Sequence, residues 1–213
     1  MPAPKIKICG ISTALALDAI IAARADYCGF VFYPASPRAV TVTEAAALGA
    51  HAATRVGKVG LFVDADEALI AEAVAAARLD AIQLHGKESP ARAAQVRAQF
   101  GLPVWKAVPV AAPGDVERAA AYLGAADLIL FDAKTPRGTL PGGMGVTFDW
   151  ALLAEWRDRA PWGLAGGLTP DNVSEAVRLT GAPLVDTSSG VESAPGVKDE
   201  ARIAAFSKAA RSA

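Results

Sequence analysis

Apolar and polar positions along the chain run in two alternating rhythms. Short β-branched or apolar runs, such as KIKIC at 5–9, CGFVF at 28–32 and DLILF at 127–131, are separated by alanine-rich stretches whose apolar positions recur at helical spacing. The runs predict strands at 5–9, 28–32, 57–63, 80–84, 103–108, 127–131, 161–165 and 183–186. The helical spacing predicts helices at 13–24, 43–50, 66–76, 89–99, 114–122, 148–158, 170–178 and 199–211. Several helix starts carry N-terminal chemistry: Thr43 with Glu44, Ser89 before Pro90, and Thr169 before Pro170 and Asp171. Alternating units with no segment left over predict an α/β fold, a single-domain (β/α)8 (TIM) barrel over 1–213. A doubly wound open sheet is the alternative, but a glycine-rich dinucleotide turn is missing after the first strand.

A barrel of this kind builds its site at the carboxyl ends of the strands. Read in order, those positions hold Cys9, the loop YPASPRAV with Arg38, Gln83 and His85 in IQLHG, Asp132, Gly166 and Gly167 in LAGGLTPDN, and Asp186 to Val191 in DTSSGV. Polar residues and glycines gather there, whereas the strand interiors are apolar. The glycines after the seventh strand, with Ser188, Ser189 and Gly190 after the eighth, predict a phosphate site, because adjacent loops there expose backbone N–H groups. The long Gly- and Pro-rich stretch 133–148 should hang over the mouth of the barrel.

Strand alternation puts Lys5, Lys7 and Cys9 on one face and Ile6 and Ile8 on the other. With the isoleucines toward the helices, Lys7 points into the barrel and needs a carboxylate, for which Asp132 and Asp186 are the candidates. A lysine below Cys9 would also favour its thiolate. Cys28 begins the second strand while Cys9 ends the first, which places the two at opposite ends of the barrel and excludes a disulfide. Lys106 and Lys134 invite a Schiff-base reading, but a salt-bridged or phosphate-facing cation is preferred for each. His51 reads as a helix-end surface residue.

Composition narrows the partner. Lys and Arg number 21 against 22 Asp and Glu, without the dense basic run of a nucleic-acid or membrane surface, so a small molecule is expected. A 213-residue domain buries roughly 70% of its unfolded surface, enough for one large core without metal or disulfide support. The start MPAPKIKICG lacks the apolar region of a signal peptide, and the stretch from Leu15 to Tyr33 is broken by Asp18, Arg24 and Asp26, so a cytoplasmic, non-membrane protein is expected. His51 and His85 show no metal-ligand spacing, so no metal is expected.

Seven segments, KICGI, GFVFYPASPR, IQLHG, FDAKTP, PGGMGVTFDW, AGGLTPDNV and DTSSGVES, occur in the order found in one family, and together the chain resembles the phosphoribosylanthranilate isomerases of tryptophan biosynthesis. The resemblance implies a cofactor-independent Amadori rearrangement of a sugar-phosphate substrate. It makes Cys9 the general base, Asp132 the general acid and Arg38 the group that meets the anthranilate carboxylate. It leaves monomer and homodimer both open. Met144 in GGMG, and Ser12 where the family usually has threonine, depart from the family pattern. The related histidine-pathway isomerase is expected to use aspartate as both acid and base, which Cys9 opposes. A metal-dependent epimerase would need histidine and acid ligands absent here, and a binding module would have no use for both Cys9 and Asp132.

Overall fold

A computed structural model describes residues 3–134, 147–154 and 156–213. Each predicted strand is present: β1 (Lys5–Cys9), β2 (Tyr27–Phe32), β3 (Gly57–Phe62), β4 (Ala81–Leu84), β5 (Val104–Val110), β6 (Leu128–Ala133), β7 (Trp162–Leu164) and β8 (Leu184–Thr187). They pair in sequence order, all parallel, and β8 returns to β1 with Lys7 opposite Asp186, closing the barrel. The stretch 133–148, including Met144, lies largely outside the described residues.

Period-two alternation divides the strand residues between two cores. Outward-facing Ile6, Ile8, Cys28, Phe30, Phe62 and Ile82 pack under the helices. Inward-facing Val59, Ala81, Trp105, Leu130, Ala165 and Leu184 fill the barrel, with the Tyr27 and Trp105 rings nearly perpendicular at a centroid distance of 5.0 Å. Above this plug a smaller cluster of Cys9, Val31 and Leu61 forms the floor of the mouth.

The helices are α1 (Ala14–Ala22), α2 (Val42–Ala52), α3 (Glu67–Ala77), α4 (Pro90–Phe100), α5 (Pro113–Ala119), α6 (Val173–Thr180) and α7 (Glu200–Arg211). Ser89 caps α4 ahead of Pro90, as expected. At α2 the cap is Thr41 rather than Thr43, because Glu44 stands three residues after Thr41 and its carboxylate accepts from the Thr41 N–H at 2.7 Å. Thr169, Pro170 and Asp171 form a turn before α6, tied by the Thr169 N–H to Asn172 Oδ1 at 2.8 Å, so that helix starts at Val173.

The helix predicted at 148–158 is replaced, among the described residues, by a 3₁₀ turn at Trp150–Leu153 and further turns. Leu153 and Trp156 are both fully buried, and their spacing of three suits the eclipsed side chains of a 3₁₀ turn as well as it suits a helix. The Trp156 ring stands nearly perpendicular to that of Phe131 in β6, with centroids 5.2 Å apart. Trp156→Ala should cost about 3–5 kcal/mol of stability with little change in KM, which chemical denaturation beside steady-state kinetics will check.

The cysteines are not at opposite ends. The stagger of the barrel sets Ile8 beside Cys28 and Cys9 beside Gly29. They remain free because they face opposite sides of the sheet, Cys9 into the mouth and Cys28 into the outer core, where burial pushes its thiol up to about 12. One element was not anticipated: after a 3₁₀ turn at Ser189–Val191, a two-stranded hairpin of β9 (Glu192–Ala194) and β10 (Val197–Lys198) precedes α7.

Candidate active site

The inward residues of β1, β4, β6 and β8 converge on one pocket at the carboxyl end of the barrel. It is lined by Cys9, Arg38, Gln83, His85, Asp132 and Asp186, by Gly166 and Gly167, and by Ser188 and Ser189, among others. Gly190 is set back from it: a Cβ there would stand 1.9 Å from the Leu168 carbonyl oxygen, so glycine is what lets the loops after β7 and β8 touch. Gly166 and Gly167 both have positive φ (+85° and +62°), which turns their loop into the pocket.

Lys7 chooses Asp186 over Asp132, donating from Nζ to Oδ2 at 2.8 Å with its side chain fully buried. Burial works against the ammonium, but Asp186 and the nearby Cys9 more than offset it and hold the Lys7 pKa above its usual value. Cys9 goes the other way from the expectation of a favoured thiolate. Burial raises its thiol, and the opposing pull of Lys7 and Lys198 does not fully cancel that. Removing Lys7 strands a buried carboxylate. Lys7→Met should therefore cost about 3–5 kcal/mol, largely recovered in the Lys7→Met, Asp186→Asn double variant, as urea melts will show.

Asp132 is held on both oxygens. Its Oδ1 accepts from the Ala133 N–H at 2.8 Å, and Oδ2 lies 3.1 Å from His85 Nε2. Gln83 Nε2 lies 2.9 Å from His85 Nδ1, and an amide donating there places the ring proton on Nε2, facing Asp132. Lys106 is no Schiff-base candidate. Its ammonium is bound by Glu88 at 3.0 Å and by the carbonyls of Leu84 and Gly86 on either side of His85. Lys134 lies 3.9 Å from Asp115, and His51 sits exposed on α2 beside Asp18.

Sequence reasoning missed Glu192 and Lys198. Glu192 forks onto Arg38, with Arg38 Nε to Oε1 at 3.0 Å and Nη2 to Oε2 at 2.7 Å, and it takes Lys198 Nζ at 2.7 Å. Burial alone would raise the Glu192 carboxyl, but Arg38 and Lys198 hold it below the usual range. Burial pushes Lys198 down, and Glu192 offsets this only in part. The signal for both was the turn dipeptide Pro195-Gly196 with short runs on either side, which marks a hairpin.

A thiol and a carboxylate inside one barrel mouth, beside adjacent glycine- and serine-bearing loops, are groups suited to acid–base chemistry, at the end of the barrel where enzymes of this fold carry their active sites. Among the described residues no cluster of histidine, cysteine and acids is arranged to hold a metal, and no helix is long and apolar enough to cross a membrane. The family model for N-(5'-phosphoribosyl)anthranilate (PRA) isomerase matches residues 6–209. The chain is 53% identical to N-(5'-phosphoribosyl)anthranilate isomerase of Paramagnetospirillum magneticum, covering 97% of both chains, and 56% identical to that of Paracoccus denitrificans, covering 96% of this chain and 95% of that one. The crystal structure of the Thermotoga maritima enzyme superposes with a TM-score of 0.90 at 37% identity, over 99% of this chain and 100% of that one. The chain belongs to the phosphoribosylanthranilate isomerase family. It catalyses the Amadori rearrangement of N-(5-phosphoribosyl)anthranilate to 1-(2-carboxyphenylamino)-1-deoxyribulose 5-phosphate, the third step from chorismate to tryptophan.

Proposed function

We propose that Cys9 is the general base of this reaction and Asp132 its general acid. The observation that carries the reading is their placement: they enter one pocket from β1 and β6, Cys9 beside the buried Lys7 and Asp132 fixed by the Ala133 N–H and His85. Asp132 gives a proton to the ring oxygen of the ribose, the C1–O bond breaks, and the nitrogen lone pair forms the Schiff base. Cys9, as thiolate, then takes the proton from C2, and the electron pair moves toward nitrogen to give the enolamine. Protonation at C1, with loss of the proton from the C2 hydroxyl as its oxygen becomes the carbonyl, completes the ketone. His85, donating to Asp132, keeps the acid's carboxyl in one orientation, and Gln83 fixes the tautomer of His85 that does so.

Arg38 meets the anthranilate carboxylate, and the loops at Gly166, Gly167, Ser188 and Ser189 bind the phosphate, with Gly190 setting their spacing. Among the described residues Gln83 Oε1 and Asp186 Oδ1 are buried acceptors without a donor, and both residues line the pocket, which suits them to substrate hydroxyls. No step calls for a cofactor. The protein works in the cytoplasm as one barrel domain, monomeric or homodimeric; the Thermotoga maritima relative is a dimeric enzyme from which monomers have been generated and solved. The test is turnover of freshly generated N-(5-phosphoribosyl)anthranilate by metal-free protein with Cys9→Ala and Asp132→Asn beside it. Full activity in either variant overturns that residue's role.

A further inference from the structure

The hairpin of β9 and β10 grips Arg38 in three ways. Glu192 holds the guanidinium by the two-point fork described above, its side chain 4% exposed. The turn of the hairpin presses on the backbone before Arg38: a Cβ on Gly196, whose φ is +83°, would lie 2.5 Å from the Pro37 carbonyl oxygen. The Gly196 N–H also donates to Glu192 Oε2 at 3.2 Å, so the turn fixes the carboxylate that fixes the arginine. Below, the stem of Arg38 crosses Gly10, where a Cβ would stand 2.8 Å from Arg38 Cγ. Lys198 locks the hairpin to the loop after β8, donating to the Ser188 carbonyl at 3.0 Å as well as to Glu192.

An ion-pair cluster this buried is a poor device for stability alone, since apolar residues of equal volume serve as well or better. What it does supply is a fixed plane for the guanidinium. A planar fork recognises a carboxylate only in one orientation, and a fork already oriented loses less freedom on binding. Two cations share the single carboxylate of Glu192, so the cluster as a whole stays attractive to an anion.

We propose that Glu192 is a positioning residue that sets the selectivity of the enzyme for a carboxylate on the aromatic ring of its ligand, by holding the plane of Arg38. The inference rests on the reading of Arg38 as the group that meets that carboxylate. The experiment compares two stable ligands: the reduced product, and the same compound built from aniline so that only the ring carboxylate is missing. Affinities are measured by calorimetry for the wild type, Glu192→Gln and Arg38→Met.

Glu192→Gln should lose about tenfold in affinity for the carboxylate ligand and stay within about twofold of wild type for the aniline ligand. In turnover, its KM should rise more than its kcat falls. Equal losses for both ligands, or no loss for either, would overturn the proposal. Should Glu192→Gln fail to fold, Glu192→Asp retains the charge, falls one methylene short of the fork, and is read in the same way. Selectivity that survives in Arg38→Met would sink the Arg38 reading, whereas selectivity lost in Arg38→Met but kept in the Glu192 variants sinks only the present inference.

Discussion

Cys9→Ala will lower kcat/KM by roughly 10³-fold, within the range that a positioned general base contributes, while leaving the far-ultraviolet circular dichroism unchanged. The side chain is small and packs with Val31 and Leu61 at the floor of the mouth, so its loss opens little space and should not unfold the barrel. Cys9→Ser should be as inactive as Cys9→Ala although it is nearly isosteric, because a hydroxyl is far harder to deprotonate than a thiol. The wild type should also show the base in its pH profile. Burial holds the thiol above its ordinary value, so near neutrality only a small fraction is thiolate. That fraction rises about tenfold per pH unit below the pKa, and kcat/KM should climb with it through the mildly alkaline range. The groups facing Cys9 that set this limb are Lys7, Asp186 and Lys198. A flat profile from neutral to alkaline pH, or a Cys9→Ser variant with wild-type turnover, would remove Cys9 from the mechanism.

Asp132→Asn should lower kcat by a comparable factor, about 10³-fold, and change the affinity for the reduced product by only a few-fold. An asparagine oxygen can accept from only one of the two donors, the Ala133 N–H or His85, and its NH2 faces the other, so circular dichroism beside the kinetics checks that the loop after β6 stays in place. What disappears is the proton for the ring oxygen. Single-turnover kinetics will separate the two outcomes: intact ligand binding with no ring opening supports the acid role, and parallel loss of binding and turnover points to a structural role instead.

The barrel and most of its mouth were legible from local chemistry. Ile6 and Ile8 alternating with Lys7 and Cys9 already said which face of β1 turned inward, and a lysine so placed had to find a carboxylate. Which carboxylate was not legible, because the register of β8 against β1 decides it, and pairing across the whole chain leaves no local trace. The supposed separation of Cys9 from Cys28 failed for the same reason: barrel stagger is a property of the closed sheet. At α2 two threonines competed for the cap, and the reciprocal bond available to Thr41 through Glu44 settled it. Glu192 and Lys198 escaped notice because six residues of extended chain set an acid and a lysine about 20 Å apart, until the turn at Pro195-Gly196 folds them together. The sign of the Cys9 shift was equally hidden. A neighbouring lysine can be read from alternation, whereas the extent of desolvation emerges only from packing.

The seam between β1 and β8 has a bearing on how activity is acquired. Lys7 meets Asp186, and Ser188 Oγ donates to the Cys9 carbonyl at 3.0 Å, across 179 positions of chain in each case. Contacts of that sequence separation form late in folding, since the entropy of closing so long a loop is lost before they can contribute. During refolding, secondary structure should therefore return before turnover does. The proposed proton-transfer site is assembled by the same event that completes the ring, and an incompletely closed chain has no partial catalyst to offer.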